Sequence, residues 1–260
     1  MIIIRILALY ILIHSFAVSA LNFEVASSIW HVNSSGSINS LGSDGVFLNI
    51  DLDDQLTMET PTQGRYSFTI NHDTTWLPQI SLGVTQLNIN GSGRPLASSI
   101  SNLFDDLYVP IEGNLDLSHY QATFFWPIWQ PGNWLIDLGF TFRQFDGELA
   151  FEFTYLSESI PIQANINSNY GFIYLSGLYQ LPWDGFSLKL YSHLGHNFKR
   201  DAPETGIDLD AMIKYDHYTG IGLGLGYHYM DINLTSVVEN RNTDYTLDIS
   251  GPYLRLAYRF

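Results

Sequence analysis

The chain holds no cysteine, so histidines and carboxylates are the side chains whose spacing must be weighed for chemistry. Thiol nucleophiles, disulfide frameworks, Cys-type zinc sites and the lipid-bearing cysteine of a bacterial lipoprotein are excluded. His193 and His196 lie near Asp201. An imidazole beside a carboxylate can activate water, but these two histidines have opposite parity on a strand, so only one faces any given site. Asp216-His217 is a second acid–imidazole pair, at a turn. An omptin-like protease would need such groups at an external rim, and a strand-borne lipid hydrolase would need His-x-Ser. The nearest approaches to the latter, His72-Asp73-Thr74 and His217-Tyr218-Thr219, fall in turns, and no nucleophile elbow is present. Asp51, Asp53 and Asp54 offer hard oxygen ligands for Ca²⁺ or Mg²⁺. The sixth position counted from Asp51 is Leu56 and not glycine, so no EF-hand loop follows and an acidic external loop is the simpler reading. Gly91-Ser92-Gly93 reads as a flexible loop, since a lone glycine pair is no phosphate cradle. No catalytic, cofactor-binding or metal residue is assigned, and no cofactor is expected.

The elements that would carry these groups are strands. Apolar residues alternate with period two along most of the chain, broken by Gly, Pro, Asn and Asp. Leu254, Leu256, Tyr258 and Phe260 share one face against Tyr253, Arg255 and Arg259. Ile221, Leu223, Leu225 and Tyr227 oppose Gly222, Gly224, Gly226 and His228. Leu209, Ala211 and Ile213 oppose Asp208, Asp210, Met212, Lys214 and Asp216. Leu188 and Leu190 oppose Lys189 and Tyr191, and Ile136, Leu138 and Phe140 oppose Asp137, Thr141 and Arg143. Every formal charge of these segments sits on the polar face.

A soluble β-sandwich also alternates. Three observations favour a transmembrane β-barrel instead. Aromatics gather at the ends of the apolar faces (Trp126, Trp129, Trp134, Tyr179, Trp183, Phe186), as interfacial girdles do. The glycine face of residues 220–226 suits a crowded lumen. The last strand ends in an aromatic, and Tyr258 and Phe260 read as a signal for barrel-assembly machinery. Asp137, Arg143, Lys189, Asp210, Lys214 and Arg255 then form a polar network in the lumen, where they fill and cross-link a small barrel or line a narrow conduit.

Eleven Lys and Arg against 26 Asp and Glu give a net charge of −15, which argues against nucleic-acid binding. Residues 1–20 have the plan of a secretory signal peptide: Arg5, an apolar run from Ile6 to Ile13, and Val18-Ser19-Ala20. No later stretch is long and apolar enough for a membrane helix, which leaves the closed barrel as the way to span. Residues 21–260 are expected to form one outer-membrane barrel of about ten antiparallel up-and-down strands, with eight or twelve as alternatives. The expected strands are 22–32, 64–71, 79–90, 115–127, 134–145, 170–181, 185–196, 207–216, 220–233 and 243–260. Asp146-Gly147 looks like a tight turn, with 148–163 a hairpin reaching outside the membrane.

Residues 115–147 carry a Leu-Asp-Leu-x-His-Tyr strand (Leu115, Asp116, Leu117, His119, Tyr120), then a strand opened by Trp134 with Asp137-Leu138-Gly139, then Phe145-Asp146-Gly147. The acidic segment 49–56, the Leu181-Pro182-Trp183-Asp184-Gly185 turn and the ending from Gly251-Pro252-Tyr253 to Arg259-Phe260 accompany them. Together they resemble a family of small proteobacterial outer-membrane β-barrel proteins of unassigned activity. The barrel is expected to be monomeric and in contact with outer-membrane lipid and lipopolysaccharide. The expected function is non-enzymatic: a structural or surface protein, a narrow channel or a small-ligand binder. The alternative is a lipid hydrolase or omptin-like protease acting at the external rim.

Overall fold

The computed structural model describes residues 21–42, 47–96, 98, 108–155, 158–197, 205–238 and 241–260. The expected signal peptide and Asp201 lie outside these residues. Fifteen strands follow in chain order: β1 (Asn22–His31), β2 (Asn33–Gly42), β3 (Phe47–Asp51), β4 (Thr57–Met58), β5 (Thr62–Asn71), β6 (Gln79–Thr85), β7 (Asn88–Gly93) and β8 (Ile111–Asp116). Then come β9 (His119–Trp129), β10 (Trp134–Tyr155), β11 (Glu158–Gln180), β12 (Phe186–Asn197), β13 (Thr205–Asp216), β14 (Ile221–Val238) and β15 (Arg241–Arg259). Ten of them, β1, β5, β6, β9, β10, β11, β12, β13, β14 and β15 in that order, form an antiparallel ring that closes where β15 pairs with β1. Closure pairs backbone groups that acyl chains could not satisfy.

The outside of the ring is greasy. Leu225, Leu254, Ile173, Ile213 and Leu138 point outward and are exposed on the bare protein, as are Tyr66, Tyr120, Trp129, Trp134 and Phe260. On β10 this belt runs from Trp134 to Phe142, roughly 20 Å in height for a strand tilted by about 40°. A Lys or Arg in mid-belt would cost about 2–4 kcal/mol, which is why the strand charges turn inward. The glycine face of β14 makes room for neighbouring side chains: a Cβ on Gly226 would stand 2.5 Å from the Tyr253 ring, and one on Gly224 2.5 Å from Met212 Sδ.

Above the belt the pattern inverts. On β14 the apolar set changes from odd positions (Leu223, Leu225, Tyr227) to even ones (Met230, Ile232, Leu234), all three of the latter buried. On β15 it changes from Leu254 and Leu256 to Tyr245, Leu247 and Ile249. The outer halves of the long strands stand in water, so their apolar faces turn inward to find cover. One wall there is β3, β2 and the outer parts of β15 and β14; the other is β4, β7, β8 and the outer parts of β10 and β11. Ile38, Ile89, Ile111, Leu149, Ile166, Leu247 and Ile232 from both walls share a single apolar cluster.

Three expectations are corrected here. Asp146 and Gly147 do not turn: they pair with Asn167 and Ile166, and the hairpin continues to Tyr155↔Glu158 because its inward face (Leu149, Phe151, Ile166) still buries apolar surface. The hairpin does extend outside the membrane. Gly91-Ser92-Gly93 is not a loop but part of β7, paired with β8 on one side and β4 on the other. Residues 79–90 are not one strand: the ladder breaks at residues 86–87, where Leu87 turns inward and its N–H is taken by Ser118 Oγ at 3.1 Å.

Candidate functional site

The inward faces of the ring meet in two polar tiers below the apolar cluster. The lower tier lies beside the short turns. Glu24 of β1 accepts hydrogen bonds from Arg255 at 2.5 Å and Arg259 at 2.9 Å, both on the paired β15. Lys214 of β13 stands 3.9 Å from Glu24 and 2.9 Å from Asp216. On the far wall Asp137 of β10 accepts a hydrogen bond from Ser176 of β11 at 2.7 Å.

The upper tier crosses the lumen. Arg65 of β5 donates to the Tyr191 hydroxyl of β12 at 3.1 Å. In a ring of ten these two strands are diametrically opposed, so one side-chain contact spans the bore. Tyr191 in turn donates to Asp210 at 2.9 Å, Tyr253 donates to the same carboxylate at 2.6 Å, and Arg65 lies 3.7 Å from it. Arg65 also stacks between Trp30 and Tyr253, 5.7 and 5.8 Å from the ring centroids. One step higher, Arg143 of β10 donates to Asp208 of β13 and, at 3.0 Å, to Gln121 of β9. His193 and His228 bring Nδ1 to 3.7 and 3.5 Å from Asp208. Arg143, Asp208, His193 and His228 are all buried. A buried guanidinium is tolerated only when paired, and Asp208 supplies that pairing.

Asp137, Arg143, Lys189, Asp210, Lys214 and Arg255 all turn into the lumen, but not as one network. Arg143 and Asp210 belong to the upper tier, Lys214, Arg255 and Asp137 to the lower, and Lys189 to the cavity they share. The sequence reading left out Glu24, Arg65, Tyr191, His193, His228 and Tyr253 as network members. Parity alone puts His193 and Tyr191 beside Lys189, and Glu24 beside Ser28. Which inward residues meet depends on ring closure, which periodicity does not reveal. His196 is exposed at the outer end of β12, as its opposite parity requires. Asp216 is held by Lys214, while His217 contacts Thr219 Oγ1 at 2.8 Å within its turn. His72 contacts the Pro78 carbonyl at 3.1 Å. Asp51 Oδ1 accepts the backbone N–H groups of Asp53 and Asp54 at 2.9 and 3.0 Å, so part of the acidic segment caps a turn. Tyr258 and Phe260 lie on the lipid face, where Phe260 stacks on Phe23 with centroids 5.7 Å apart.

No protein-family model matches the chain, and no curated protein matches it in sequence. Solved structures do match in fold. The outer membrane protease OmpT of Escherichia coli superposes with a TM-score of 0.51 at 10% identity, covering 92% of this chain and 97% of that one. The translocator domain of autotransporter NalP from Neisseria meningitidis gives 0.45 at 9% identity, covering 92% and 89%. The outer membrane protein OprG of Pseudomonas aeruginosa gives 0.34 at 12%, covering 93% and 97%. At such identities a likeness speaks for fold alone. The closed ten-strand ring, the lipid belt and the fold shared with OmpT define a β-barrel of the bacterial outer membrane.

Proposed function

We propose that the protein is a closed, non-enzymatic barrel that holds a folded, water-exposed storey outside the outer membrane. The observation that carries this reading is the Arg65–Tyr191 contact across the full diameter of the ring, capped by the apolar cluster. A water-filled conduit would need that level clear of side chains. The external storey supports a structural or surface role, and the likeness in sequence to small proteobacterial barrels of unassigned activity fits the same role. A hydrolase at the external rim would need an imidazole and a carboxylate exposed together. The cluster of Asp208, His193 and His228 is instead sealed inside. Outer-membrane lipid and lipopolysaccharide as surroundings, assembly machinery as the partner of the Tyr258–Phe260 end, and a monomeric state complete the proposal. Planar-bilayer recording of refolded protein tests it: the closed reading expects no conductance steps above the lipid baseline. Steady unitary conductance from the wild-type barrel would overturn it.

A further inference from the structure

Beneath the Arg65–Tyr191 bridge the lumen is not full. A cavity of about 250 Å³ reaches down toward Asn71 and Arg259, beside the short turns. Its lining is unbalanced in charge, with Arg65, Lys189, Lys214, Arg255 and Arg259 against Glu24 and Asp137. Most of these cations are accounted for: Arg65 by Asp210, Arg255 by Glu24, and Lys214 and Arg259 by Glu24 and Asp216. Lys189 is the exception. It projects inward from β12 into the cavity and forms no hydrogen bond or ion pair among the described residues. The facing wall offers hydroxyls, with Thr69 and Ser81 3.0 Å apart and both lining the space.

A half-enclosed ammonium with donors around it, which feels the carboxylates of Glu24, Asp137 and Asp210 but touches none of them in a hydrogen bond or ion pair, is half of a charge-assisted contact. We infer that the lower lumen is a binding site for a compact, water-soluble oxyanion, a carboxylate or phosphate, held by Lys189 and reached from the side of the short turns, which is the periplasmic side in outer-membrane barrels. The cavity is large enough for phosphate or a small carboxylic acid and too small for a two-chain lipid. The direction of access rests on the closed reading; the binding does not.

The test is isothermal titration calorimetry of the refolded barrel in a zwitterionic detergent at low salt, with inorganic phosphate and with acetate as probes. One saturable site is expected for at least one probe. Lys189→Gln weakens it by about tenfold or more, the scale of one charge-assisted hydrogen bond, while Lys189→Arg retains it. Asp137→Asn removes a competing carboxylate and tightens binding, so the inference stays testable if Lys189→Gln fails to show heat-modifiable folding. A flat titration with both probes, or equal affinity in wild type and Lys189→Gln, overturns the inference. Displacement of phosphate by dihexanoyl phosphatidylglycerol at equal concentration would overturn the assignment to a free anion. A conducting barrel that still binds phosphate through Lys189 would remove the closed reading and leave this one standing.

Discussion

Along β14 the protein meets two solvents, and a short series of substitutions on that strand tests where one gives way to the other. Leu225 faces lipid and lies four residues above Ile221. At about 3.3 Å per residue and a tilt near 40°, that is roughly 10 Å above the lower edge of a belt about 20 Å tall. Leu225→Arg therefore places a charge near mid-membrane and should cost about 2–4 kcal/mol, a 30- to 1,000-fold loss in the folding equilibrium. Asn233 has the same outward parity but lies above the inversion, where Asn233→Arg should change stability by less than about 1 kcal/mol. Ile232, adjacent to it and fully buried in the external cluster, should lose about 2–5 kcal/mol on Ile232→Ala, since a packed interior leaves a cavity behind. The assay is urea unfolding of the barrel in lipid vesicles, followed by tryptophan fluorescence and by heat-modifiable gel migration. Leu225→Arg within 1 kcal/mol of wild type, or Asn233→Arg as damaging as Leu225→Arg, would refute the reasoning about the belt.

Other outcomes are expected from the same geometry. Asp208→Leu strands the buried Arg143 and should cost about 3–5 kcal/mol, most of it recovered when combined with Arg143→Met; a double-mutant cycle with additive effects would count against the pairing. Burial, and then the carboxylate of Asp248 directly across the ladder, raise Asp231 above the usual carboxylate range. A raised carboxylate penalises the folded state at neutral pH, and the penalty is relieved as pH falls through the raised value toward the ordinary one. Asp248→Asn should move the Asp231 midpoint downward in a carboxyl-resolved NMR titration, and an unmoved midpoint would exclude the coupling. Phe260→Ala should slow insertion into vesicles that contain assembly machinery while unfolding shifts by no more than about 3 kcal/mol, the worth of the two lost stackings on Phe23 and Tyr258. Equal slowing in vesicles without the machinery would remove its role as a signal.

The lower barrel was readable from sequence because lipid enforces a strict rule. A charge on the belt is costly, so Asp137, Lys189, Asp210 and Lys214 could be sorted inward by parity alone. The ring strands from residue 115 onward were located by such alternation and the three before it as less regular candidates, although several ended too early. The external storey was not readable by the same rule. Ile232, Leu234, Leu247 and Ile249 carry their apolar surface on the face that is polar lower down. A reading that follows one phase leaves Leu234 in a loop and misses the change of face at Ile232, Leu247 and Ile249. Asp146-Gly147 misled for a related reason: its turn propensity is real but weaker than the burial of Leu149 and Phe151 beyond it. Within the lumen, parity told which residues turn inward but not which meet. The pairing of Arg65 with Tyr191 requires knowing that their strands stand opposite, and that depends on the number of strands in the closed ring.

Four ring strands are interrupted near the height of the inversion: β1 and β2 at Val32, β4 and β5 at residues 59–61, β6 and β7 at residues 86–87, β8 and β9 at residues 117–118. All but β4, whose ladder with β7 is one residue out of step with that of β5 and β6, resume in the register they left, as the pairings of β15 with β1 and β2, of β10 with β9 and β8, and of β9 with β6 and β8 with β7 show. A slip of one residue in either storey therefore drags the other with it. Such a slip would turn the belt's charges toward acyl chains and, in the same movement, wet the external core. Misaligned barrels are thus rejected twice, by two media that object to opposite mistakes, and a chain of few strands gains a safeguard against mispairing that neither medium could provide alone.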